Sequence, residues 1–136
     1  MKKNLILVFT LLLVFTTGCS AFGPAADTEK SSPAFRQISQ EEAKEMMAKD
    51  DGHVVVDVRR QDEYDAGHIP GAILVPNESI GCDSPEALPD YDQIILIYCR
   101  TGNRSRQAAQ KLASMGYTNI YEFGGITTWT GDVVTD

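Results

Sequence analysis

The chain has 136 residues, 43% hydrophobic and 23% charged, with a formal net charge of −7. That is enough chain for one domain with a core of its own, too little for two, and too apolar for wholesale disorder. The excess of 19 acidic over 12 basic residues excludes a general nucleic-acid binder, and three cysteines exclude a disulfide framework and a four-cysteine zinc site.

Met1-Lys2-Lys3-Asn4 precedes eleven residues, 5–15, that are apolar except for Thr10, and the run softens into Thr16-Thr17-Gly18-Cys19-Ser20. A basic start, a short apolar stretch and small residues at its end read as an export signal over residues 1–18. The run is shorter than the roughly 20 apolar residues that span a bilayer. A buried core helix is the alternative, against which stand Phe and β-branched residues on every face. Thr-Thr-Gly-Cys-Ser resembles a bacterial lipobox, in which the signal is cut before a cysteine that becomes lipid-modified, although Thr16 stands where leucine is preferred. The resemblance implies lipidation of Cys19 and an extracytoplasmic protein anchored to a bacterial membrane; an unlipidated secreted protein is the alternative. Loss of Lys2 and Lys3 takes the mature body to about −9, so the lipid anchors without help from a basic patch. Residues 19–33, mostly Gly, Pro, Ala, Ser and Thr, read as a flexible tether, which leaves residues 34–134 as the folded domain.

Within that domain residues 35–38 predict a short strand. Ser39-Gln40-Glu41-Glu42 is a capping box that starts a helix over residues 40–49, with Ile38 placed to staple against Ala43. After a turn at Asp50-Asp51-Gly52, residues 54–58 form a nearly continuous apolar, β-branched run, the pattern of a strand buried on both faces. A helical turn over 61–65 and a loop at 67–71 lead to a strand over 72–75. Residues 77–92 are polar, with weak helical content at 86–88. A second fully buried strand covers 94–98. A helix over 105–115 ends at Gly116. A strand over 118–123 is followed by Gly124-Gly125 and a short helix carrying Trp129. Strands alternating with helices predict an α/β fold with a mostly parallel central sheet.

The chemistry stands directly after the second buried strand, in Cys99-Arg100-Thr101-Gly102-Asn103-Arg104-Ser105. The carboxyl end of a central parallel strand is where open α/β sheets place ligands. The next helix turns its free N–H groups and positive dipole end back toward the sulfur, and Gly102 lets the loop curl into an anion nest. These features, with Arg100 and Arg104, favour the thiolate, which is the nucleophilic form. Residues 99–121 hold Arg100, Arg104, Arg106 and Lys111 and no Asp or Glu, a locally cationic stretch in an acidic chain.

Asp57-Val58-Arg59, Glu63 with Gly67-His68-Ile69-Pro70-Gly71-Ala72, the loop from Tyr98 to Ser105, Gly116-Tyr117, Gly124-Gly125 and Trp129 together resemble a single-domain rhodanese over nearly all of residues 35–129. The resemblance implies a rhodanese-like α/β fold with a five-stranded, mostly parallel sheet and helices on both faces. It implies that Cys99 carries sulfane sulfur as a persulfide, cradled by the backbone N–H groups of Arg100, Thr101, Gly102, Asn103, Arg104 and Ser105. Arg100 and Arg104 would orient an anionic donor such as thiosulfate, and a thiol or cyanide would accept the sulfur. No metal or organic cofactor is implied, and a monomer is expected.

Three further readings stay open on sequence alone. Cysteine-dependent phosphatases and arsenate reductases resemble His-Cys-x5-Arg, whereas here Tyr98 precedes the cysteine and four residues separate Cys99 from Arg104. Cys82 could pair with Cys99 in a thiol-redox protein, if their Cα atoms approach within about 7 Å. A binding module on the same fold, without turnover, is the third. Asp57 is expected to hold loop backbone, Arg59 to contact substrate or pair with an acid, and His68 to bond Glu63 structurally.

Overall fold

The two apolar runs singled out in the sequence lie side by side at the centre of a sheet. The protein is described over residues 34–136 by a computed structural model; the predicted signal, the tether and Cys19 lie outside those residues. Strands β1 (Arg36–Gln37), β2 (Val54–Asp57), β3 (Ile73–Leu74), β4 (Ile94–Cys99) and β5 (Asn119–Gly125) run in the spatial order β1-β5-β4-β2-β3, every pair parallel. Helices α1 (Gln40–Met47), α2 (Gln61–Asp65) and α3 (Asn103–Met115) connect them, with 3-10 turns at Asn77–Ser79 and Ile126–Thr128.

The period-2 alternation of β4 builds both layers. Ile95, Ile97 and Cys99 meet Ala108, Ala109 and Leu112 of α3 on one face. Leu96 and Tyr98 meet Ala43 of α1, Phe123 and the partly buried Tyr64 of α2 on the other. Burial on both faces explains why β4 reads as an unbroken apolar run and β2 as one broken only by Asp57. The predicted cap forms: Ser39 Oγ accepts the Glu42 N–H at 3.1 Å, and Ile38 joins Ala43 in the same apolar cluster.

Four local expectations are corrected. Residues 86–88 form a turn, with the Leu88 N–H bonded to Pro85 O at 2.9 Å; prolines at 85 and 89 remove donors a helix would need. Helix α3 starts at Asn103, two residues before the expected Ser105, because Gly102 at φ +101° turns the chain into it. Trp129 follows a 3-10 turn instead of sitting in a helix, and β3 is confined to two residues. The antiparallel bridge between His68 and Val134 has no sequence signature, since one residue pair has no period.

Candidate active site

Cys99 ends β4 with its side chain on the α3 face, wholly buried at the floor of the loop that enters α3. The Gly102 N–H donates to Cys99 Sγ at 3.0 Å. Burial pushes the thiol up. The Ser105 hydroxyl, when its proton is turned toward the sulfur, and then the backbone N–H groups of Ser105, Gly102 and Thr101 outweigh burial and hold the thiol below its ordinary range. All of these donors come from the loop and the first turn of α3, where peptide dipoles also favour a thiolate.

The other side of the loop rests on the end of β5. Cys99 pairs with Gly125, and both the Thr127 N–H and the Thr127 hydroxyl donate to Arg100 O, at 3.2 and 3.0 Å. A Cβ at Gly125 would overlap the Arg100 carbonyl, so this position admits only glycine if the loop is to close. The Gly124-Gly125 pair is therefore a steric requirement of the cysteine loop.

Asp57 and Arg59 form a buried pair at the carboxyl end of β2, two strands from β5 and beside β4. Arg59 Nε and Nη2 bond the Asp57 carboxylate at 2.7–3.0 Å, Asp57 Oδ1 accepts the Arg59 N–H at 2.9 Å, and Arg59 Nη2 reaches Gly67 O at 2.7 Å. Burial works against the Arg59 charge, but Asp57 more than offsets it and raises its pKa. Of the two roles open to Arg59, the structure shows pairing with an acid.

Arg104 does not stand free toward an anion. Its Nη1 and Nη2 bond Glu63 Oε2 and Oε1 at 2.7 and 2.8 Å, a two-point clamp from α3 to α2. The expected His68–Glu63 contact is absent: His68 Nδ1 faces Tyr64 O at 3.0 Å and its ring stacks on Tyr64 with centroids 3.7 Å apart. Asn103 Oδ1 accepts from Arg106 Nη2 at 2.9 Å, and Lys111 Nζ bonds Asn77 O at 2.8 Å. Arg100 is exposed at the loop rim and makes no side-chain hydrogen bond or ion pair among the described residues. The cationic stretch read from sequence is thus largely consumed internally, and Arg100 is the loop cation left facing solvent.

The Arg104 hydrogen bonds pull the Glu63 carboxyl down to about 2, against a burial effect that works the other way. A group lowered by folding stabilises the protein above its unfolded value and loses that contribution as pH falls through the folded one. The stability difference between wild type and Glu63→Gln, read by urea unfolding, is expected to be full at neutral pH. It should vanish between pH 4.5 and about 2. A difference that stays constant across that range would contradict the clamp.

Cys82 is an exposed free thiol beside Gln110, Lys111, Ser114 and Met115, in the C-terminal half of α3, while Cys99 lies at the opposite end of that helix, also free. Gln110 is already about 10 Å along the axis from Asn103 at 1.5 Å per residue, farther than a disulfide spans. The Cys82–Cys99 pairing considered from sequence is not what the fold brings together.

Residues 39–132 match the rhodanese-like domain family. The chain belongs to the rhodanese family. It is 37% identical over 97 residues to the thiosulfate sulfurtransferase GlpE of Pseudoalteromonas translucida, covering 71% of this chain and 90% of that protein. It is 40% identical over 96 residues to GlpE of Pseudomonas entomophila, covering 70% and 84%. Among solved structures, a rhodanese with anions from E. coli shares 31% identity at a TM-score of 0.57, covering 62% of this chain and 99% of that one. A rhodanese-like domain protein from Staphylococcus aureus shares 28% at 0.63, covering 74% and 98%. The five-stranded parallel sheet with helices on both faces is the rhodanese-like fold.

One residue of this rhodanese site was not anticipated. Glu122, 3% exposed, sits beneath the cysteine loop and accepts from Ser105 Oγ at 2.6 Å and from the Gly124 N–H at 2.9 Å. Its signal was available: Glu122 lies two residues after Ile120 and so falls on the same, buried face of β5.

Proposed function

We propose that this rhodanese carries sulfane sulfur on Cys99 as a persulfide and passes it from an anionic donor such as thiosulfate to a thiol or cyanide. The protein is a rhodanese-type sulfurtransferase by its family and by relatives named thiosulfate sulfurtransferase at 37–40% identity over most of their length. The observation that carries the persulfide reading is the buried Cys99 Sγ facing the Gly102 N–H at 3.0 Å, at the start of α3. A ring of peptide donors suits an anionic sulfur that comes and goes.

In the first half-reaction the Cys99 thiolate attacks the outer sulfur of thiosulfate. A sulfur–sulfur bond to Cys99 forms, the bond to the sulfonyl sulfur breaks, and sulfite leaves with its electron pair. In the second, a thiolate or cyanide attacks the outer sulfur of the persulfide and Cys99 departs as thiolate. Arg100, at the rim, draws in the anionic donor. The clamp of Arg104 by Glu63, with four residues between Cys99 and Arg104, favours a ring sized for one sulfur over a phosphate. The N-terminal residues support an exported form held to a membrane through lipid on Cys19.

Initial rates of thiocyanate formation test the two-step scheme. Varying thiosulfate at several cyanide concentrations is expected to give parallel double-reciprocal lines. Intersecting lines would mean that both substrates bind together and would overturn the persulfide intermediate.

A further inference from the structure

The Ser105 hydroxyl, wholly buried, has one proton and is surrounded by acceptors: Glu122 Oε1 at 2.6 Å, Gly102 O at 3.0 Å and Gly124 O at 3.5 Å. The shortest contact is in the range of a charge-assisted O–H···O⁻ bond, so Glu122 claims the proton. Glu122 meets only donors: Ser105, the Gly124 N–H and, on Oε2 at 3.1 Å, Gln37 Nε2 from β1. Three donors and no acceptor suit the ionised carboxylate. Its Oε1 lies 3.7 Å from where a Gly102 Cβ would stand, with Arg106 Nη1 3.8 Å from the same point. Gly102 is the residue whose N–H holds the Cys99 sulfur. The charged and titratable groups around the carboxylate are therefore Cys99 at the end of β4 and Arg106 on α3, with the neutral Gln37 on β1.

We infer that Glu122 is a positioning residue that opposes ionisation of Cys99: it withholds the Ser105 proton from the sulfur and sets a buried negative charge beneath the cysteine loop. Both effects disfavour the thiolate, opposing the peptide donors of the loop. Each thiolate that does form is the more basic and the stronger nucleophile, while fewer are present at a given pH and Cys99 leaves more slowly in the second half-reaction. The inference rests on the persulfide reading for its purpose, but its physical content concerns the free thiol.

The test is the pH midpoint of Cys99 alkylation by iodoacetamide, on protein with Cys19 and Cys82 both replaced by serine. Glu122→Gln keeps Oε1 as an acceptor for Ser105 and Gly124, and the Gln37 amide can turn over to accept from the new Nε2. Only the charge is lost. The midpoint is expected to fall by about one pH unit, the size of shift a neighbouring charge produces. Were Glu122 purely structural, its loss would loosen the peptide donors and raise the midpoint, so an unchanged or raised value overturns the inference. Gln37→Lys, at an exposed position, places an ammonium against Glu122 Oε2 and is expected to lower the midpoint in a chain whose loop is untouched. If Glu122→Gln does not fold, an unchanged midpoint in Gln37→Lys overturns the inference in its place. Alkylation needs no sulfur donor: a lowered midpoint in a protein that never gains sulfur would sink the proposed function and leave this inference standing.

Discussion

Cys99→Ser is expected to lower thiocyanate formation from thiosulfate and cyanide by on the order of 10³-fold or more, with the fold intact. Serine fits the wholly buried place of Cys99, because oxygen is smaller than sulfur and the substitution shortens only one bond. The loop would still bind an anion through its N–H groups, and Arg100 would still face solvent. What is lost is the only group at the floor of the loop able to hold sulfur covalently. A hydroxyl there is not ionised at neutral pH, whereas the thiol is held below its ordinary range by the Ser105 hydroxyl and the loop's peptide N–H groups. Retention of more than a tenth of the rate in Cys99→Ser would mean that sulfur passes by another route.

The largest stability loss is expected from Asp57→Ala. Asp57 is wholly buried and Arg59 is 5% exposed, so removing the carboxylate leaves a buried guanidinium with Gly67 O as its remaining hydrogen-bond acceptor. Breaking such a pair from one side costs about 3–5 kcal/mol. A domain this size has about 5–15 kcal/mol in all. Urea unfolding at neutral pH is expected to show that loss, and a change below about 1 kcal/mol would contradict the pair's role as the anchor of the β2 terminus. Its reach extends to the site, since the Val58 N–H, next in sequence, bonds Tyr98 O, the carbonyl just before Cys99, at 3.1 Å.

Local chemistry was legible in the chain, and pairings across it were not. Residues 54–58 and 94–98 announce buried parallel strands because both faces are covered, and the cysteine loop announces itself by glycine, arginines and a following helix. The partner of Arg104 is 41 residues away in sequence and that of Ser105 is 17 away, so no spacing rule connects them. Reading residues 99–121 by themselves therefore overstated the positive charge at the loop: Glu63 and Glu122 lie outside that window and return to it through the fold. His68 is structural, as expected, but its buried ring stacks on Tyr64, four residues earlier, instead of bonding Glu63, five earlier. Arg59 could have gone to substrate or to an acid; a carboxylate two residues before it, on the same buried strand end, decided the matter.

Intact-mass measurement after incubation with thiosulfate and removal of excess donor reads the Cys99 persulfide directly. The chain is expected to gain the mass of one sulfur atom, the gain to be absent in Cys99→Ser, and cyanide or a thiol to remove it. A mass that stays unchanged while thiocyanate is still formed, or a gain that survives in Cys99→Ser, would contradict a persulfide on Cys99.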